Sequence, residues 1–370
     1  MDPDLAPSAR WGLGWAIRRF VLIAGALAAI ALAGSLAASD LAFAAPPRVR
    51  EDVKDLTPQE KADFVDAVLE LKQTPSPWNP SISYYDQFVL WHKQAFNCAI
   101  DAAHMHPAFL PWHREFLLMF EEALRQVSGK PITVPYWDWT DPNSTAAVFA
   151  PDFMGTMGDP SSGYAVTSGP FSQGAWRLNI IDPKANDWYG RRYLIRRFGT
   201  KLGKTLPTST QVDTALARPV YDVKPFDATS NPRRSFRNYF EGWRGVKSMK
   251  CEHGLMNVVD REGAPHEMHN RVHLWVGGVW DFKRKHGPLQ GTMALNTSPN
   301  DPVFWLHHSN IDRIWSQWES IHGEEYRPHH GQPFGQNLHD TMWPYRDIGN
   351  NVTIADLLDI GQLGYSYANP

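Results

Sequence analysis

The sequence predicts a mainly α fold, with a core of four helices and long irregular loops around it. Three observations carry this. Apolar residues recur at helical spacing in segments near both ends of the chain, and capping residues open several of those segments. The stretch between them, Thr140 to Asn238, is rich in Pro, Gly, Ser and Asp.

Thr57-Pro58-Gln59-Glu60 is a capping box with Pro at the first helical position. The helix it opens has apolar residues at Phe64, Val65, Val68, Leu69 and Leu71 and ends near Pro75. A second helix covers Tyr84 to Phe96 and carries His92. A third starts near Pro111 and runs to about Val127, with Phe116, Leu117, Phe120 and Leu124 as its stripe and Gly129 as its stop. Thr140 to Asn238 has no repeat, and Trp176, Trp188 and Phe198 are too many aromatics for a disordered linker. It is predicted to be irregular, packed structure decorating the helical core. Another helix follows around Met268 to Val276. The last opens at Asn300/Asp301, with Pro302 in its first turn, and continues to about Ile321. Three or four core helices bear histidines, and facing side chains inside a bundle are a known way to build a metal site.

The 370 residues, 43% hydrophobic and 20% charged, allow one large domain or two small ones with a sizeable core. A net charge of −3 gives no reason to expect nucleic acid as a partner. Two counts stand out. The 16 Trp suit an aromatic-rich core, and the 15 His raise the question of a metal, because imidazole suits copper, zinc and iron.

Residues 1–44 are predicted to be an export signal, leaving 45–370 as a single domain. Arg18 and Arg19 precede an apolar run from Phe20 to Ala38, and Ala42-Phe43-Ala44 follows before Pro46. The Arg pair before Phe20 also suits the twin-arginine route. The expected location is extracellular or periplasmic, with no stable membrane association once the signal is cleaved. The alternative is a retained anchor, for which the run is long enough. Cys98 and Cys251 are the only cysteines, too few for a disulfide framework or a Cys-based zinc site. One Cys98–Cys251 disulfide and free thiols both remain open.

The histidines fall into clusters. In His104-Met-His106-Pro-Ala-Phe-Leu-Pro-Trp-His113-Arg114, a lone His would ordinarily be a surface or hydrogen-bonded residue, but His113 lies within an apolar stripe and needs a compensating partner. His269-Asn-Arg-Val-His273 sets two imidazoles on one helix face, able to chelate one ion. That is also the zinc-protease spacing, but the Glu it requires after the first His is Asn270 here. In Asn300-Asp-Pro-Val-Phe-Trp-Leu-His307-His308-Ser-Asn-Ile-Asp312, adjacent side chains on a helix diverge by about 100°. One of His307 and His308 is therefore expected at the ion and the other behind it.

These motifs together resemble the tyrosinase family. His104-x4-Phe109-Leu-Pro-Trp112-His113-Arg114, continuing to Glu121, is similar to its first copper signature. Asp301-Pro302-x-Phe304-Trp305-x2-His308-x3-Asp312 is similar to its second. Tyr85-Asp-Gln-Phe-Val-x2-His92 and His269-Asn-Arg-Val-His273-x-Trp-Val-Gly-Gly resemble the remaining parts. Further similarity to bacterial tyrosinases at Pro135 to Trp139, Ala150 to Phe153, Leu206 to Thr208 and Phe236 to Val246 extends it over nearly the whole mature chain.

The resemblance implies a type-3 copper four-helix bundle with two copper ions. It assigns His92, His104 and His113 to one ion, and His269, His273 and His308 to the other. His307 becomes the partner behind the pair, and His106 falls between motif positions. Six imidazoles without carboxylate or thiolate also favour a borderline metal over Mg or Ca. Asp312 and Asn310 are candidates either to orient the ligands from behind or to serve as structural polar groups of the helix.

The implied activity is o-hydroxylation of a monophenol and oxidation of the resulting catechol to an o-quinone with O2, in melanin-type pigment or phenolic metabolism. In the family an Asn after the first ligand of the second site, with a nearby Glu, holds a water suited to taking the phenol proton. Asn270 and Glu241 match them. Bacterial relatives have this Glu only a few residues before the copper motif, whereas this chain inserts roughly Lys247 to Glu267, including Cys251. The pairing survives if the insertion loops out; otherwise Glu241 is a surface carboxylate. Leu295 matches the position that overhangs the pocket and gates substrates. Cys98 lies six residues before His104 and matches no thioether spacing of the family.

Two other readings share the chemistry. One is a catechol or o-aminophenol oxidase without monophenol activity, against which Asn270 and Glu241 argue. The other is a haemocyanin-like oxygen carrier, which usually occurs as large multidomain assemblies. With 62 residues after His308, ending at Gly364-Tyr-Ser-Tyr367, no C-terminal plug and no proteolytic activation are expected. A separate copper-delivery partner is compatible with the family.

Overall fold

Each long helix forms within about three residues of where its apolar spacing predicts, and side-chain caps open two of them. The computed structural model describes residues 48–97, 103–181, 191–252, 255–260, 267–285 and 287–370, the backbone alone for 251–252 and 255–260. The predicted export signal, Cys98 and Trp188 lie outside these residues.

Helix α1 (Pro58–Gln73) opens on the Thr57 capping box, with Glu60 reaching back to the Thr57 N–H at 2.8 Å. Helix α2 (Tyr84–Gln94) is capped by Ser83, and α3 (Phe109–Ser128) stops at Gly129, whose φ of 66° is the left-handed cap. The short helices α4 (Pro142–Val148), α5 (Ser209–Leu216) and α6 (Phe236–Glu241) follow, then α7 (Met268–Gly277) and α8 (Val303–His322). No helix among the described residues is long and apolar enough to cross a membrane.

Aromatic packing joins three of the long helices. Phe120 of α3 stacks on Trp305 of α8 with ring centroids 3.6 Å apart, and Phe88 of α2 meets both edge-on at 5.5 Å. Such pairs add about 0.5–1.5 kcal/mol each beyond their buried area. Helix α1 covers α2 and α3 from outside, and α7 packs against α6 and the turn Thr292–Ala294.

Strand β1 (Arg48–Arg50) pairs in parallel with β6 (Tyr365–Tyr367), tying the two ends of the described chain together. Strands β2 (Val246–Glu252) and β3 (Leu255–Asp260) form an antiparallel hairpin, and β4 (Val279–Trp280) with β5 (Leu289–Gln290) a smaller one.

The stretch from Thr140 to Asn238 is packed: Trp176 is buried and donates to the Asn300 carbonyl at 2.8 Å. It is also more regular than its composition predicts, since α4, α5 and the start of α6 fall within it. None is long enough to show an apolar stripe. Their caps were the readable signal: Asp141-Pro142 before α4, and the Thr208/Gln211 capping box before α5.

Candidate metal centre

Three histidines far apart in sequence converge first. His92 lies in the last turn of α2, His113 in α3, and His104 in the loop between them; their ligand atoms lie within 4.8 Å of one another. A second group, His269 and His273 on α7 with His307 and His308 on α8, meets the same limit. The two groups face each other: the rings of His113 and His308 stack in parallel at 4.2 Å.

The hydrogen bonds set the tautomers. Carbonyl oxygens only accept, so Nδ1 of His92 donates to Asn296 O (2.7 Å), that of His113 to Phe109 O (2.8 Å) and that of His273 to Met293 O (2.8 Å). This leaves the Nε2 lone pair for a ligand, the arrangement in which an outer partner orients a metal-binding imidazole. Nε2 of His92, His113 and His269 are buried and without a hydrogen-bond partner in the protein. Nε2 of His273 and His308 lie 3.4 Å apart. Two nitrogens on one ion at about 2.0–2.1 Å, spread near the tetrahedral angle, have about that separation.

Burial also keeps these rings neutral. It pushes His92 down to about 3 and His273 down to about 4, and holds His104, His113, His269, His307 and His308 well below the ordinary imidazole value, with neighbouring histidines adding to the effect in the last five. Metal binding requires the neutral ring. Buried, neutral imidazoles with Nε2 of His92, His113 and His269 free of protein partners suit a copper pair.

His307 comes closer than the 100° divergence predicts. It stacks on His269 at 5.1 Å, while His308 leans to His113, so the adjacent rings diverge yet both border the site. Neither nitrogen of His307 has a hydrogen-bond partner in the protein. His106 stands apart, its Nδ1 on the His104 carbonyl at 3.0 Å.

Asn270 accepts from His269 Nδ1 at 3.0 Å, and its Nδ2 has no protein partner. Together with Leu295, Phe96 and Trp243 it lines a cavity of about 190 Å³ above the histidines.

The insertion after Glu241 loops out as the β2–β3 hairpin, which brings Asp260 back opposite Val246. Helix α6 therefore still packs on α7. At Gly242 (φ 107°) a Cβ would lie 2.3 Å from the Glu267 carbonyl and 3.0 Å from the Asn270 Cβ, so the approach requires glycine. Glu241 is fully buried rather than a surface carboxylate. Its Oε1 accepts from Met105 N at 2.5 Å and its Oε2 from Arg237 at 3.1 Å.

Asp312 and Asn310 bond to residues other than histidines. Asp312 accepts from Arg50, Arg114, Tyr365 and Tyr367, and Asn310 from Arg313. Asp312 therefore fixes α8 as a whole, the structural one of its two expected roles.

Two facing histidine clusters inside a helical core define a binuclear metal protein with imidazole donors. Residues 82–321 match the family model described as the common central domain of tyrosinase. The chain is 39% identical over 320 residues to the tyrosinase of Streptomyces glaucescens, covering 84% of this chain and 96% of that one. It is 35% identical over 335 residues to grixazone synthase of Streptomyces griseus, covering the same shares. A solved polyphenol oxidase from Thermothelomyces thermophila has the same fold, with a TM-score of 0.61 at 23% identity over 87% of this chain and 88% of that one. The chain belongs to the tyrosinase family. The cofactor of that family is a pair of copper ions, and the two clusters are where this chain could hold them.

Proposed function

We propose that this protein is a copper-dependent phenol oxidase that hydroxylates monophenols and oxidises the resulting o-diphenols to o-quinones. The observation that carries this reading is the pair of facing clusters of neutral, buried histidines beneath a cavity with an aromatic and apolar rim. His92, His104 and His113 would hold one copper, and His269, His273 and His308 the other. When bound, the pair supplies the redox chemistry with O2. The two steps together turn one monophenol and one O2 into one o-quinone and one water.

The protein's own share is placement. Phe96, Leu274, Met293 and Leu295 give a phenol ring an apolar wall and keep water away. Leu295 is the residue we assign to limiting the width of the mouth. Asn270 commits its Oδ1 to His269 and leaves Nδ2 to donate to the phenol oxygen, or to a water beside it, which favours loss of the phenol proton. In the family pairing Glu241 would share that water, through a carboxylate already engaged by Met105 and Arg237.

Relatives at 35% and 39% identity carry different names, so similarity alone does not choose between hydroxylating and purely catechol-oxidising enzymes. Initial rates on tyrosine and on L-DOPA do. Turnover of both is the expected result; brisk L-DOPA oxidation without tyrosine hydroxylation would leave a catechol oxidase. We further propose export of the chain, supported by Arg18-Arg19 and the Ala42-Phe43-Ala44 pattern. A mature N-terminus near Ala45 on the exported protein would bear this out, and an uncleaved chain held in the membrane would refute it.

A further inference from the structure

Among the six histidines assigned to copper, His104 alone stands outside a helix. Something other than helix geometry must hold it beside His92 and His113. The residue after it, Met105, has a φ of 62°, a left-handed conformation that disfavours a side chain. Among the described residues, three contacts tether the loop from outside. Met105 N donates to Glu241 Oε1 at 2.5 Å, the Tyr221 hydroxyl donates to Pro107 O at 2.6 Å, and Ala108 N donates to Gln336 Oε1 at 2.9 Å.

Glu241 is the charged member of this set, and its contact is the one adjacent to the histidine. Its carboxylate is itself fixed, because Arg237 donates to Oε2 at 3.1 Å while gripping Asp222 at 2.6 and 3.0 Å. We propose that Glu241 is a positioning residue for the first copper site: it acts through the Met105 N–H to hold the left-handed turn that aims His104 at His92 and His113. This inference rests on the binuclear copper reading. It gives Glu241 a task at the metal, distinct from taking a proton at the substrate.

Three variants of the full chain separate the two tasks. Glu241→Gln keeps an acceptor at the same reach without the charge. Glu241→Asp keeps the charge but is one methylene too short, and Glu241→Ala has neither. Each is equilibrated with copper, freed of loose ions and analysed for copper per chain on the folded, monodisperse fraction, with circular dichroism as the check on folding. The expected result is two coppers for the parent and the Gln variant, falling to about one for Asp and Ala. An isolated Cu(II) electron-spin signal should appear in those two. If Ala does not fold, the Asp and Gln pair still decides. Two coppers in Asp and Ala, with only monophenol hydroxylation lost, would overturn the proposal, as would equal copper loss in Gln. A parent chain holding fewer than two coppers would instead overturn the binuclear reading itself.

Discussion

Arg114 Nε donates to Asp312 at 2.6 Å, joining the residue after His113 to the residue one helical turn beyond His308. The contact fixes α3 against α8, the two helices whose histidines stack across the site. The same carboxylate accepts from Arg50 of β1 and from Tyr365 and Tyr367 of β6, so both ends of the described chain close on it. Burial tends to raise the Asp312 carboxyl, but Arg114 and Arg50 outweigh it and hold it below the usual carboxylate range.

Replacing Asp312 with Asn removes the charge that balances two buried guanidinium groups. Breaking one side of a buried ion pair costs about 3–5 kcal/mol. Guanidinium unfolding of Asp312→Asn should show a loss of that order; a change under about 1 kcal/mol would mean the network contributes little to the fold.

The choice between His307 and His308 is open to direct test. His308→Ala should lower copper from two to about one per chain, whereas His307→Ala should keep two. The reverse pattern would move the ligand role to His307, which also borders the site.

Asn270→Ala should slow tyrosine hydroxylation by roughly 10²-fold, the lower end of what a positioned proton-transfer group contributes. L-DOPA oxidation, which needs no new C–O bond, should fall much less. Equal slowing of both rates would assign Asn270 to holding His269 rather than to the phenol.

Away from the site, burial pushes the Glu115 carboxyl up to about 7, against the pull of its hydrogen bond from Asn350. Its folded value lies above its unfolded one of about 4.3. The stability it contributes is thus full below about pH 4 and lost as pH rises through about 7. Glu115→Gln keeps the acceptor for Asn350 and should match the parent at pH 4 while exceeding it at pH 8, by about 3–4 kcal/mol. Denaturation curves at the two pH values check this, and equal stability at pH 8 would contradict it.

Much of the site was legible because five of its six assigned histidines sit on helices with a readable apolar period, His104 being the exception. Thr57, Gly129 and the His269/His273 spacing each encode local geometry that the fold keeps. What the sequence could not show depends on contacts between distant segments. The tethers of Tyr221, Glu241 and Gln336 on the His104 loop join residues more than 100 positions apart, as does the arrival of Arg50 at Asp312. The approach of His307 was hidden for another reason: the angular rule for adjacent side chains ignores how far two rings on one helix can lean together.

Metal analysis of the purified protein after copper loading tests the central claim most directly. Two facing all-histidine sites should give two copper ions per chain. One copper per chain, or zinc retained in preference to copper, would contradict the account.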